Sequence, residues 1–508
     1  MNIFFKSVLI ISSISTMIAC KKEQPTPGAN SQGIQQTNKK VSTENAFSME
    51  DVQRLDNTAK EQLGENIGVQ IYMYSIPIVR EMLFRNKFSA MVRKAQKNNI
   101  PMFSKNSDDG VHLNELIHLR MLTNHLIESG VTPNVDTQYS PAFIDVSEGP
   151  VVFTVPEMTR YYSVQITDAY LENVHYFGGT NKEDYQGNYL LVKPDWKGTK
   201  PAEISKIVTM PTDIGFLALR ILNTTEKGDT EKVNALQDGF KMQSLPSFLG
   251  KKTAPYPLLK KEPLPIGIEY YNSMLRYVRK YPDLKNDAHF WFLMKQLGID
   301  KDEEIDFNDA DPSMKKGLLA ALPKAKEILA WKARTRGYRA KTKWNIDLIG
   351  GSYEGDIMAR AEGAVQGFIV HDADQCLYFH TYYDNLGEPL LGSNDYVIHF
   401  SKEQLHQANA FWSIVAYDTS YNLVPRKDFH YAVSDRSEGL VYNEDGGLTI
   451  YIQSEEPVGK KNNWVPTPKK GIFKLNFRNY MPKETLLNKN TVEDYLPGVE
   501  KVDPEFKN

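Results

Sequence analysis

Two tyrosine-rich tracts hold the densest run of groups able to hydrogen-bond or titrate. They are Pro133-Asn134-Val135-Asp136-Thr137-Gln138-Tyr139-Ser140 and Arg160-Tyr161-Tyr162-Ser163-Val164-Gln165-Ile166-Thr167-Asp168-Ala169-Tyr170. Read as an extended strand, the second tract alternates. Tyr161, Ser163, Gln165 and Thr167 share one face, and Tyr162, Val164, Ile166 and Asp168 the other. The first face suits hydrogen bonding to a ligand; the second suits a core and ends in a carboxylate. Asn134, Asp136, Tyr139, Tyr161, Gln165 and Asp168 are therefore candidate ligand-binding residues. Arg80 joins them as a guanidinium able to build a network with Asp136 and Asp168 beneath a pocket. Asn134 and Asp136 are equally good turn-formers. A carboxylate beside Tyr or His would also suit hydrolase or lyase chemistry, which needs no contiguous motif.

A third tract, Phe411-Trp412-Ser413-Ile414-Val415-Ala416-Tyr417-Asp418, alternates in the same way. Trp412 reads as core, or as a platform on which a sugar or ring ligand stacks. The ten histidines are scattered. His118 and His125 fall on one expected helix, about 10 Å apart in rise, too far to share a metal. His371-Asp372-Ala373-Asp374 reads as a solvated turn. No metal site and no cofactor is expected. The chain contains no G-x-G-x-x-G, phosphate loop, H-E-x-x-H, G-x-S-x-G or paired C-x-x-C, which argues against nucleotide, zincin and ordinary α/β-hydrolase chemistry.

The elements that must position these groups begin after a leader. Lys6, an apolar stretch Ser7–Ile18 and Met17-Ile18-Ala19-Cys20 read as a secretory signal over residues 1–19, too short to span a bilayer. The final tetrad resembles the lipobox of bacterial lipoproteins, with Met17 where Leu is usual. That resemblance implies cleavage before Cys20, lipidation of Cys20 and anchoring to the bilayer in the cell envelope, at the outer membrane or a periplasmic face. An ordinary secretory signal and an uncleaved anchor are the alternatives. Residues 20–46 are polar and read as a disordered tether. With Cys20 lipidated, Cys376 stands alone and an internal disulfide is excluded. A formal charge of −3 gives no basic surplus for nucleic acid, and 508 residues with 41% hydrophobic content can bury a large core.

The spacing predicts helices over Met49–Leu63, Gly68–Met91 and Val111–Ile127, the last stopped by Gly130. Short β-rich runs punctuated by glycine follow to about residue 250, suggesting a sandwich. Pro255, Pro257, Pro263 and Pro265, with Pro246 upstream, mark a linker; helical spacing then runs to about Lys341, interrupted at Pro323. Strands return from Trp344. The expected regions are thus 47–250, 251–343 and 344–508.

Pro133 to Ser140, Asp145-Val-Ser-Glu-Gly-Pro150 and Arg160 to Gln165 resemble domain of unknown function family 1254. Gly387-Glu-Pro-Leu390, Gly392, Tyr396, His399-Phe400, Ala410 to Ser413, Tyr417-Asp418, Ile450 to Gln453, Asn463 to Pro466 and Phe473 resemble its usual companion, family 1214. The resemblance implies a mainly β fold with a helical insert: an N-terminal immunoglobulin-like β-sandwich, a middle α-helical segment and a C-terminal jelly-roll-like β-sandwich. It brings no catalytic residues, and Ile357 stands where relatives often place tyrosine. The expectation is an envelope-anchored binding or accessory module for a small molecule or glycan, with a pocket near the domain junction. A carboxylate-dependent hydrolase or lyase and a structural envelope protein remain open, as does the oligomeric state, a homo-oligomer included.

Overall fold

Alternating apolar residues build four sheets, and apolar residues at helical spacing build the helices beside them. In the computed structural model the described residues are 48–503, apart from 99, 101, 104–109, 127–131 and 225; the expected signal, Cys20 and tether lie outside them. The compact unit Gln53–Asn508 holds the sheets and helices, with α1 running into it from Met49.

Its first half contains α1 (Met49–Lys97), then β1 (Thr137–Asp145), β2 (Val151–Val155), β3 (Tyr162–Asp168), β4 (Asn173–Gly178), β5 (Gly187–Val192), β6 (Lys206–Thr209), β7 (Ile214–Leu222), α2 (Asp229–Gln237), β8 (Lys241–Ser244) and α3 (Leu245–Phe248). The middle holds α4 (Glu269–Lys280), α5 (Asp287–Gln296) and α6 (Pro312–Arg334). The second half holds β9 (Tyr338–Arg339), β10 (Asn345–Ile346), α7 (Ile357–Gln366), β11 (Cys376–Thr381), β12 (Tyr396–Phe400), β13 (Ala408–Tyr417), β14 (Ala432–Ser434), β15 (Leu448–Gln453), β16 (Trp464–Pro466), β17 (Lys474–Pro482), α8 (Glu484–Leu487) and β18 (Glu500–Lys501).

Four sheets pack as two sandwiches, the mainly β arrangement with helical segments expected from the resemblance. Sheets β1-β7-β3-β4 and β6-β5-β2-β8 close on Ile144, Val164, Ile166, Leu217, Leu219, Phe153 and Leu191. Sheets β14-β13-β17-β11-β10-β9 and β16-β15-β12-β18 close on Phe379, Trp412, Ile414, Phe477, Ile398 and Ile450. Between them in sequence, α4, α5 and α6 bury Tyr271, Met274, Phe290 and Leu318 against Ile71, Tyr74 and Ile78 of α1.

Three expectations about helices change. The two N-terminal segments are one helix, α1, running through Gly64, Gly68 and Pro77. Glycine at 64 permits close helix contact, since a β-carbon there would lie 2.6 Å from the Met314 carbonyl oxygen of α6. Pro323 does not interrupt α6. Finally, Val111 onward is extended: Asn114, Ile117 and Leu119 donate backbone N–H groups to Phe143, Pro141 and Tyr139 along β1. Pairing to an open strand edge satisfies that backbone without a helix; Ile127 and Gly130 lie outside the described residues.

Candidate functional site

The face of β17 turned away from its sandwich core is polar. Leu475 and Phe477 enter the core. Lys474, Asn476, Arg478 and Tyr480 alternate with them and share the opposite face. Antiparallel register aligns these with His380, Tyr378 and Cys376 of β11, and with Tyr417, Val415, Ser413 and Phe411 of β13. On the first sandwich, Arg220 of β7 pairs in register with Tyr139 of β1 and Ser163 of β3. The two outward faces meet. Ser413 Oγ donates to Asp136 (2.6 Å), Tyr417 donates to the Pro133 carbonyl (2.7 Å), and Arg478 donates to that of Thr132 (2.9 Å).

His371 ties the faces together. Its Nε2 lies 3.1 Å from Arg220 Nη1 and 3.2 Å from Ser163 Oγ, and its Nδ1 lies 3.0 Å from the Tyr378 hydroxyl. Arginine can only donate, so Nε2 accepts and Nδ1–H donates to Tyr378. Burial, with Arg220 adding to it, holds the imidazole well below its ordinary pKa, consistent with that neutral tautomer. His371 is fully buried rather than part of a solvated turn, and the expectation for it is corrected.

At this junction lies a cavity of about 230 Å³. One wall is apolar: Phe84 and Phe88 of α1, Phe216 of β7, Phe368 and Ile369. The other carries Arg220, Tyr378, His380, Lys474, Asn476, Arg478, Arg336 and Glu362. Arg336 is held by Asp347 and lies 3.5 Å from Glu362. Among the described residues neither Arg220 nor Arg478 has a carboxylate within ion-pair distance. Arg220 instead donates to Gln165 Oε1 (2.9 Å) and Tyr139 (3.1 Å). Arg478 is buried, its Nη1 has no hydrogen-bond partner, and neither has Asn476 Oδ1. Burial brings the Lys474 amine down to about 7, with Glu362 opposing and Arg336 and Arg478 adding to the fall. Burial likewise raises the Glu362 carboxyl, with Arg336 opposing.

The candidates from sequence divide. Asn134 and Tyr139 line the cavity. Gln165 supports its wall, holding Arg220 and donating to the Val370 carbonyl (2.7 Å). Tyr161 packs on Phe411 and Tyr480, off the cavity. Asp136 faces a separate groove and pairs with Arg436 at 2.7 Å. Asp168 lies elsewhere: Thr137 pairs with Leu222 and Asp168 with Gly215, at opposite ends of β7, so the two aspartates are roughly 24 Å apart. Arg80, on α1, bonds to neither aspartate, and the network expected of the three is not formed; Arg436 and Arg360 are the arginines beside them. Trp412 packs against Phe400 and Phe477 in the sandwich core and offers no platform. Arg220, Lys474, Asn476 and Arg478 went unread. Their signal was present: a lone charge inside the apolar run Ile214–Leu222, and polar residues at every second position of β17. Among the described residues, no cluster of His, Cys, Asp or Glu is arranged to hold a metal.

Residues 113–244 match the model of a protein family of unknown function, DUF1254, and residues 375–484 match that of a second, DUF1214. The chain carries both regions, in that order. The cavity draws Tyr139 and Arg220 from the first and Tyr378, Lys474 and Arg478 from the second, so it lies where they meet. The crystal structure of the VPA0106 protein from Vibrio parahaemolyticus shares the fold, with a TM-score of 0.61 at 20% identity over 87% of this chain and 100% of that one. An uncharacterized protein from Burkholderia cenocepacia aligns at a TM-score of 0.40 and 12% identity, over 88% and 98% of the two chains. No curated protein matches.

Proposed function

We propose that the protein binds a small amphipathic anion in the junction cavity: a carboxylate attached to an apolar body of one ring or a short chain. One observation carries this reading. Arg478 is buried without a carboxylate partner, with Nη1 unbonded, on the wall of a cavity whose other side is phenylalanine. Asp136 acts on Arg478 only from beyond ion-pair distance, and a bound anion would relieve the cost of burying that cation. Asn476 Oδ1 is a further free acceptor for a hydroxyl or N–H on the same molecule. At about 230 Å³ the space exceeds the ~150 Å³ that holds benzene in an engineered core, leaving room for a headgroup. The apolar wall suits a hydrocarbon body better than a glycan. Asp136 is bonded to Ser413 and Arg436 and Asp168 to the backbone N–H groups of Tyr170 and Glu172, which does not favour a hydrolase or lyase built on either carboxylate with a Tyr or His side-chain partner.

Calorimetric titration of the full chain with 3-phenylpropionate and with the neutral 3-phenylpropanol tests this. The acid should bind more tightly, and Arg478→Met should weaken it by about 2 kcal/mol, roughly 30-fold. Equal affinity for acid and alcohol, or an unchanged affinity in a folded Arg478→Met variant, would overturn it. The site's address is part of the proposal: lipidation of Cys20 would hold this binding module at the envelope. Cys20→Ser should then move the protein from the membrane to the soluble fraction; retention in the membrane would refute lipid anchoring.

A further inference from the structure

We propose that Lys474 is a covalent capture residue, forming a reversible imine with a carbonyl-bearing ligand, of the 2-oxo acid or aldehyde class, seated in the junction cavity. The inference rests on the binding reading above and adds chemistry to it. Lys474 lines the same cavity as Arg478, four residues along one strand face. Among the described residues no carboxylate lies within ion-pair distance of its amine, which instead sits over the rings of Tyr421 and Tyr382, at 5.3 and 5.8 Å from their centroids. Structural lysines usually carry their charge to water or to a carboxylate; this one is half-buried and lines the polar wall of the cavity. The groups around it are Glu362, Arg336 and Arg478. Burial favours the neutral amine, the nucleophilic form; Glu362 opposes it, and Arg336 and Arg478 add to the fall.

In the step, the Lys474 nitrogen lone pair attacks the carbonyl carbon and a C–N bond forms. A proton moves from nitrogen to the former carbonyl oxygen, giving a carbinolamine. The C–O bond then breaks, and with the remaining nitrogen proton the hydroxyl leaves as water; the C=N bond remains. Glu362, on the same wall and held toward its protonated form by burial, is the group able to lend and recover that proton.

The test incubates the full chain with phenylpyruvate and sodium cyanoborohydride, the hydride donor that fixes an imine as a secondary amine, and maps the adduct by peptide mass spectrometry. At pH 7 an amine titrating near 7 holds roughly a thousandfold more free base than an ordinary lysine. Labelling should therefore concentrate on Lys474, at least roughly 10-fold above any other lysine. It should be suppressed by 3-phenylpropionate and vanish in Lys474→Arg. Labelling spread evenly over the lysines, or absent from Lys474, would overturn the inference. If 3-phenylpropionate still binds the wild-type chain in that case, imine formation alone fails; if it does not bind, the binding reading fails as well.

Discussion

Arg360 and Arg478 are both buried arginines, and their company differs. Arg360, on α7, places Nη1 2.7 Å from Asp283 and 3.5 Å from Glu172, with its guanidinium 5.5 and 5.1 Å from the ring centroids of Tyr74 and Tyr170. Arg478 meets a backbone carbonyl and the ring of Tyr417. Both leave guanidinium nitrogens without a hydrogen bond, so an unbonded N–H marks nothing by itself. What separates the two is charge balance and space. Around Arg360 carboxylates and rings fill the surroundings; beside Arg478 no carboxylate pairs with it and a cavity opens. The first arrangement reads as a tie between α7, the turn after β3 and the start of α5. The second reads as half of an ion pair whose other half is a ligand.

Substitution separates them most sharply in stability. Arg360→Met should cost roughly 3–5 kcal/mol in urea unfolding, because Asp283 and Glu172 would stay buried without their cation. Arg478→Met strands no carboxylate partner and should cost clearly less, while losing the carboxylate ligand. Equal destabilisation by the two would erase the distinction and return Arg478 to a purely structural role.

How much of this could be read from residues alone follows the periodicities. The alternation of Tyr161 to Asp168 is realised: Tyr162, Val164 and Ile166 enter the core, and Ser163 and Gln165 face the junction. The β13 tract behaves likewise, with Trp412 inward and Phe411, Ser413 and Tyr417 outward. Period two fixes the face a residue occupies, yet it says nothing of position along the strand, so Asp136 and Asp168 could be joined on paper while standing at opposite ends of β7. Which arginine meets which carboxylate is a long-range matter: Asp136 meets Arg436 three hundred positions away. Val111 to Ile127 has helical spacing, but Asn114 to Leu119 dock on the edge of β1, an outcome set by that strand rather than by their own residues. The β17 pattern Lys-Leu-Asn-Phe-Arg-Asn-Tyr was legible and went unread because its polar members resemble a solvated face. Only the first sandwich, packed against it, makes that face interior.

A smaller effect probes the balanced side of the comparison from within. Asp168 lies near Arg360 as well, yet burial drives its carboxyl up to about 7; Arg360 opposes the shift, and Glu172 and Asp283 reinforce it. Asp283, bonded directly to Arg360, is held below its ordinary value by that arginine and by Asn286 despite its burial. One guanidinium thus faces three carboxyls; Asp283, bonded to it directly, is held down, and Asp168, without such a bond, is pushed up. The folded state therefore binds more protons at Asp168 than the unfolded chain from about pH 4 to about pH 7, so this group's contribution to stability declines as pH rises through that window. Asn at 168 keeps an oxygen for the N–H groups of Tyr170 and Glu172, which Asp168 Oδ1 accepts at 2.8 and 3.1 Å, and carries no charge to desolvate. Asp168→Asn should gain about 2–3 kcal/mol on the wild type between pH 5 and pH 8, measured by urea unfolding at both values. A variant that instead loses stability at pH 8 would show that Arg360 holds Asp168 ionised as well as Asp283, and the knot around it would then be an ion cluster rather than a pair with a protonated neighbour.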